Sequence, residues 1–323
     1  MTEAVAFWLA EPGRGELRSE DLYEPGPGEV VVETVASGIS RGTESLVFRG
    51  LVPPSLAETM RCPFQEGAFP APVKYGYSAV GRVVAGDPAL QGRRVFCLHP
   101  HQDRFVVPAA AVSVLPNDVP DARAVLAANL ETALNGLWDA GPRIGDRIAV
   151  VGGGVVGMLA AWLAGRIAGT EVTLYDPDPA KRRLAGTLGI PAEAGPADHP
   201  PADCVLHASG SEGGLALALD LAGFEARVVE LSWYGDRPVA APLGAGFHPR
   251  RLRLISSQVG HIAGPQRARW SHARRMDLVL RLLAEPLLDH LLEPPVALKD
   301  LPETMRKIAE GASPVMCQVV TYP

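Results

Sequence analysis

A chain of 323 residues with 47% hydrophobic and 20% charged side chains has the composition of a globular protein and the length of about two domains. Its net charge of −6, from 36 acidic and 30 basic residues, argues against nucleic-acid binding, and it lacks the apolar run of about 18 residues that a membrane helix needs. Cys62, Cys97, Cys204 and Cys317 are scattered without a C-x-x-C pair and the first 20 residues carry charges rather than a secretion signal, so the expectation is a cytoplasmic protein with neither a disulfide framework nor a cysteine-rich zinc loop.

The first 115 residues read as short strands separated by turns. Glu29 to Val35 is β-branched and follows the turn Pro25-Gly26-Pro27-Gly28, and Ser78 to Ala85, Arg94 to Leu98 and Arg104 to Val107 continue at a spacing that suggests a small, partly closed β barrel. The pattern changes near Asp121. Ala122 to Ala140 has helical spacing and is ended by Gly141-Pro142. Strands and helices then alternate: strand Arg147 to Val151, helix Val155 to Ala168, strand Glu171 to Tyr175, helix Pro179 to Leu188, then Cys204 to Ala208, Gly214 to Ala222 and Arg227 to Leu231. This alternation predicts an α/β fold with a doubly wound parallel sheet. Arg274 to Ala284 and Pro302 to Glu310 read as helices, and Cys317 to Tyr322 as a last strand able to return to the first domain.

Between the first parallel strand and its helix stands Gly152-Gly153-Gly154-Val155-Val156-Gly157, a G-x-G-x-x-G fingerprint. Gly152 allows the tight turn, Gly154 leaves room for a pyrophosphate against the backbone, and Gly157 lets helix and strand approach. The N–H groups and positive dipole end of the helix then face the phosphates. Asp176, 19 residues after Gly157, closes the second strand where a carboxylate accepts from ribose hydroxyls. That carboxylate favours NAD, while Lys181, Arg182 and Arg183 leave NADP open. Ser209-Gly210 follows a later strand, either as a backbone contact to the nicotinamide half or as a plain loop.

Pro27-Gly28-Glu29-Val30, Ser37-Gly38-Ile39-Ser40, Lys74 to Val83, Gly92-Arg93-Arg94-Val95 and the fingerprint together resemble the medium-chain dehydrogenase/reductase superfamily, the zinc alcohol dehydrogenase-like proteins. The resemblance implies a GroES-like β-barrel catalytic domain over residues 1–121, completed by 285–323, and a Rossmann NAD(P)-binding domain over 122–284. It also implies hydride transfer between a secondary alcohol and a ketone or aldehyde. Where the zinc enzymes carry their second C-G-V-C cysteine this chain has Ser40, and where they carry G-H-E it has Gly76-Tyr77-Ser78. Only Glu131, in Asn129-Leu130-Glu131-Thr132, resembles a ligand position, so the departures argue against catalytic zinc.

In the absence of zinc, hydrogen-bond donors must stabilise the substrate oxygen. The resemblance makes Tyr77 the first acid/base candidate, against plain aromatic packing. Ser40 and Thr43 are candidates to bind the oxygen, Arg41 to hold an anionic group, and Glu44 and Glu131 to orient them, with a Glu44–Arg41 ion pair as the bland reading. Two alternatives stay open. One is a zinc-dependent enzyme using Glu131 with His99 or His101, two residues apart on one face of a strand. The other is a catalytically silent dinucleotide-binding protein, a kind the superfamily also contains. Ser37 to Glu44 has a local similarity to the bacteriochlorophyllide hydroxyethyl dehydrogenase group. Seven arginines between Arg250 and Arg275 read as a solvated face or as a basic rim for anions. Leu252 to Val259 resembles the family's edge strand and implies a homodimer.

Overall fold

A computed structural model describes residues 2–196, 200–311 and 316–323. They fall into two compact units, Met1–Ala128 with Met276–Pro323, and Asn129–Arg275.

The first unit is built on antiparallel sheets. Its central strand, Glu29–Ile39, pairs with Ala79–Gly86 along most of its length. Its first half also pairs with Arg104–Pro108 and its last residues with Cys317–Thr321, so the C-terminal strand lies beside a strand nearly 280 residues earlier. The β-branched run is explained by burial: Val30, Val32, Val83, Val95, Phe105 and Val107 close a single core, and each such side chain is worth about 1.5–3 kcal/mol when removed from water. A hairpin, Thr2–Glu11 with Arg14–Leu22, opens the chain. It has no counterpart in the sequence reading, because the adjacent apolar Phe7 and Trp8 blur the alternation of a strand.

Two helices differ from expectation in this region. Arg41–Phe48 follows Ser40 directly, in the segment read above only as a motif. The single helix expected over Ala122 to Ala140 is two, Asp121–Ala124 and Ala127–Ala140. At the break the Val125 carbonyl accepts from Ser78 Oγ at 2.6 Å.

The second unit is a six-stranded parallel sheet. Its spatial sequence is Ala192–Glu193, Glu171–Tyr175, Arg147–Val151, Ala202–His207, Ala222–Glu230, Arg253–Ser256. Numbered within the unit this is 3-2-1-4-5-6, the order of a doubly wound dinucleotide-binding sheet. Helices Val155–Ala164, Pro179–Thr187 and Glu212–Leu221 supply the crossovers. The first ends at Ala164, four residues earlier than expected, with Gly165 as its cap. Asp178 caps the second, accepting from Ala180 N at 2.8 Å ahead of Pro179, whose missing N–H costs nothing at that position. All four cysteines are buried and unpaired. Among the described residues no helix is long and apolar enough to cross a membrane.

Candidate functional site

The fingerprint lies in the second unit. Gly152 has φ +109°, and a Cβ there would come within 2.6 Å of the Ser209 backbone nitrogen on the neighbouring loop. At Gly157 a Cβ would lie 1.8 Å from the Gly152 carbonyl oxygen, so helix and turn touch backbone to backbone. Gly154 is different: a Cβ there would meet no protein atom within 4 Å. Gly154 is also the N-cap of helix Val155–Ala164 and has no side chain of its own to bond the first-turn N–H groups. Val155 and Val156 open that helix. Two of the three glycines are therefore explained by packing, and the third faces open space beside uncapped donors, an arrangement that suits an anion.

Asp176 ends the second strand and is buried. Its Oδ2 accepts from Gly153 N at 2.7 Å and lies 3.3 Å from Lys181 Nζ, and its Oδ1 accepts from Asp178 N at 2.9 Å. The carboxylate thus ties the second strand to the glycine turn and keeps lone pairs for further donors. Arg182 donates to the carbonyls of Asp176 and Pro177, which clamps the same loop.

Ser209 and Gly210 follow the fourth strand. Ser209 Oγ lies 2.6 Å from His207 Nε2, and His207 Nδ1 lies 2.6 Å from Glu230 Oε2, directly opposite on the adjacent strand. Tyr234 OH also donates to Glu230, and Gly210 N donates to Ser232 Oγ. Burial raises the Glu230 carboxyl, but the hydrogen bonds and charge of His207 together with Ser232 outweigh it and hold it below its ordinary value. The sequence reading passed over His207 and Glu230; a histidine closing a buried strand beside the Ser-Gly turn was the available signal.

The first unit holds the polar cluster. Tyr77 is half-buried, edge-on to Tyr75 with ring centroids 6.0 Å apart. Ser40 and Thr43 hydrogen-bond its hydroxyl. Burial and then the nearby Glu44 charge push the phenol well above its ordinary value, more than Ser40 and Thr43 lower it. Glu44 does not pair with Arg41. Its Oε1 accepts from Ser40 N at 2.6 Å, as a first-turn glutamate reaching back to its N-cap, and its Oε2 lies 2.9 Å from His101 Nε2. Arg41 is half-buried and has no hydrogen-bond or ion-pair partner among the described residues.

His99 and His101 do not share a strand face. Residues 98–101 form no strand, so side-chain alternation does not apply. His99 stacks on Phe105 at 3.7 Å and on Phe64 at 5.6 Å and bonds the Pro100 carbonyl, while burial lowers its pKa to about 3. His101 spends both ring nitrogens, on Glu44 and on Ser37 Oγ at 2.7 Å.

Glu131, in the second unit, is buried and ion-paired with Arg275, Nε to Oε1 3.0 Å. Arg275 is 1% exposed and also donates to Asn135 Oδ1 and to the Val259 carbonyl, both at 2.6 Å. It therefore leaves the proposed basic rim. Arg250 is bonded to the Asp220 and Ala222 carbonyls, while Arg251, Arg253, Arg267, Arg269 and Arg274 are exposed, the solvated face that the sequence offered as one reading. The residues present do not fit a catalytic zinc. Two ligand positions carry hydroxyls, and the remaining carboxylate already faces a fixed guanidinium that repels a second cation. No three His, Cys, Asp or Glu side chains converge on a metal-sized site among the described residues.

No family model matches the chain. It is 32% identical over 206 residues to 2-desacetyl-2-hydroxyethyl bacteriochlorophyllide A dehydrogenase of Cereibacter sphaeroides, an alignment covering 56% of this chain and 59% of that protein. With the enzyme of the same name from Rhodobacter capsulatus it shares 31% identity over 258 residues, 73% of this chain and 75% of the relative. Among solved structures, L-idonate 5-dehydrogenase from Escherichia coli K-12 superposes with a TM-score of 0.81 at 14% identity, covering 99% of this chain and 98% of that one. A structure described as a zinc-binding dehydrogenase from Sinorhizobium meliloti 1021, bound to NADP, gives 0.78 at 22% identity over 99% and 100%. The two structures share the fold, and the local similarity at Ser37 to Glu44 agrees with the two curated relatives. On the alignment over three quarters of the second relative, the motif order and the fold, the chain belongs to the medium-chain dehydrogenase/reductase superfamily, the alcohol dehydrogenase-like proteins.

Proposed function

We propose that the protein is a nicotinamide dinucleotide-dependent oxidoreductase that interconverts a secondary alcohol and a ketone without catalytic zinc. The observation that carries this reading is the fingerprint turn: Gly154 opens to empty space above an uncapped helix end while Gly152 and Gly157 are filled by the protein itself. The NADP found in the structural relative, and the dehydrogenase names of the curated relatives, support it. When bound, the nicotinamide supplies the acceptor for the hydride leaving the carbinol carbon, or the donor in the reverse direction.

The chain's own residues supply the rest. The backbone of Gly152 to Gly154 and the N–H groups of Val155 and Val156 hold the pyrophosphate, and the free lone pairs of Asp176 accept from the adenosine ribose. Ser209 and Gly210 line the same carboxyl end of the sheet, fixed by His207. Tyr77, a phenol that is protonated at neutral pH and that burial and Glu44 make still harder to ionise, gives its proton to a carbonyl oxygen and takes it back from an alcohol. Ser40 and Thr43 steady the oxygen of Tyr77, and Arg41 is available for an anionic group on the substrate. The edge strand Arg253–Ser256, paired on one side only, with Leu254 exposed, is the surface through which two copies pair.

The test is turnover of a panel of secondary alcohols by protein purified without chelator, with its metal content measured. Tyr77→Phe is expected to lower kcat by about 100-fold with KM for the alcohol little changed. About one zinc per chain, or full activity of the variant, overturns the mechanism. In a calorimetric titration NAD is expected to bind at least about tenfold more tightly than NADP, because Asp176 repels a 2′-phosphate. Equal affinities end that assignment.

A further inference from the structure

Glu44, His101, Ser37 and Tyr322 form one continuous line of hydrogen bonds inside the first unit. His101 Nε2 lies 2.9 Å from Glu44 Oε2, His101 Nδ1 2.7 Å from Ser37 Oγ, and Ser37 Oγ 2.8 Å from Tyr322 OH. The residues come from four separate stretches of chain: helix Arg41–Phe48, the loop after Arg94–Cys97, the central strand, and the segment after the last strand. Glu44, His101 and Ser37 are at most 2% exposed, while Tyr322 is half-buried. The line therefore runs from fully buried groups to a residue with partial solvent exposure.

Its polarity follows from the chemistry of its ends. An ionised carboxylate only accepts, so His101 donates from Nε2. In the neutral imidazole Nδ1 then accepts from the Ser37 hydroxyl, and the Ser37 oxygen accepts from the Tyr322 hydroxyl. Every donor points toward Glu44. The inner end meets the Tyr77 cluster: Glu44 also accepts from Ser40 N, and the backbone at Gly76, next to Tyr77, packs so closely on the His101 ring that a Cβ there would come within 2.8 Å of its Cδ2.

We propose that Ser37, His101 and Tyr322 are a proton relay connecting Glu44, and through it the Tyr77 cluster, with solvent. One turn of the relay moves one proton. Tyr322 passes its hydroxyl proton to Ser37 and regains one from water, Ser37 passes its own to His101 Nδ1, and His101 passes its Nε2 proton to Glu44. No bond between heavy atoms changes, and the same transfers run in reverse, Glu44 returning its proton to Nε2 and Nδ1 returning its proton to Ser37, restore the starting tautomer. The relay rests on the function proposed above, in which carbonyl reduction consumes one proton per hydride and alcohol oxidation releases one. Ser37, His101 and Tyr322 are positioning residues, since none is placed against the reacting atoms.

The test compares the unmodified protein with Ser37→Ala and Tyr322→Phe. The first readout needs neither cofactor nor turnover: exchange of the His101 ring proton with solvent, followed by nuclear magnetic resonance on histidine-labelled protein. It is expected to slow by about tenfold or more in both variants, with urea unfolding showing that each stays folded. The second readout uses NAD with 1-phenylethanol and other secondary alcohols. Both variants are expected to lose kcat by about tenfold with KM unchanged and to show a larger solvent deuterium isotope effect. Exchange as fast as in the unmodified protein overturns the relay, as does an unchanged isotope effect. Slowed exchange in a protein that oxidises none of the alcohols supports the path and overturns the oxidoreductase reading, so the two failures are separable.

Discussion

Gly157→Ala is expected to destabilise the protein by about 3 kcal/mol and to weaken NAD binding by at least about tenfold. The cause is a collision that no side-chain rotation relieves: the new methyl would lie 1.8 Å from the Gly152 carbonyl oxygen, on a turn already forced to positive φ. Helix Val155–Ala164 must move away from strand Arg147–Val151, taking with it Met158, Leu159 and Trp162, all buried. Gly154→Ala is the matching control. Its methyl meets no protein atom within 4 Å and its φ of −80° suits alanine, so stability should stay within about 0.5 kcal/mol. Binding should nevertheless fall, because a ligand pyrophosphate would meet the new methyl. Urea unfolding and calorimetric NAD titration of the two variants separate a packing glycine from a binding one. Undiminished NAD affinity in Gly154→Ala sinks the assignment of that glycine to the pyrophosphate.

Arg275→Leu carries the second large effect, a loss of about 3–5 kcal/mol at pH 7, since it leaves Glu131 charged and alone in a buried site. The same change strips the Asn135 Oδ1 and the Val259 carbonyl of a donor each. The pH dependence identifies the mechanism. Burial already raises the Glu131 carboxyl above its ordinary 4.5 in spite of Arg275, and removing the guanidinium raises it further. A native state that holds a proton more tightly than the unfolded chain is most stable at low pH and loses that stability as pH rises from 4.5 through the raised native value. The deficit of Arg275→Leu should therefore shrink on acidification. Adding Glu131→Gln should remove its pH dependence. Urea unfolding at several pH values checks both, and a deficit that stays constant with pH would falsify the buried-charge account.

Neither Glu131 nor Arg275 announces this pairing. They stand 144 residues apart in the chain, one in a segment that resembles a ligand position and the other at the end of an arginine run that read as a solvated face. Lys74, which the sequence marks only as part of a family motif, is likewise 2% exposed and held by Glu20, Glu66 and Gln102. In each case the charge is visible in the sequence and its compensation is not, because the partner arrives by tertiary packing rather than by helical or strand periodicity.

The fingerprint behaves in the opposite way. Strand, glycine turn, helix and closing aspartate occupy 30 consecutive residues, Arg147 to Asp176, and their conformations follow from local rules: a β-branched run, glycines where a Cβ cannot fit, and a carboxylate at a strand end. The parallel sheet was legible for the same reason, since each βα unit buries its face through a short-range pattern. Strands Arg147–Val151 and Glu171–Tyr175 fall on the residues that their apolar runs mark.

What the amino-acid order determined unaided, then, is the alternating strands and helices of the parallel sheet and the glycine turn between its first strand and helix. What only the three-dimensional packing decided is how the remaining polar groups pair. Glu44 turned to His101 rather than Arg41, His99 turned into an aromatic stack, and Ser37 met Tyr322 across 285 positions. The physical reason is range. Backbone conformation and hydrophobic periodicity are set by neighbours a few residues away. A buried carboxylate or imidazole instead must take whichever partner the closed fold brings within about 3 Å, on penalty of its full desolvation cost.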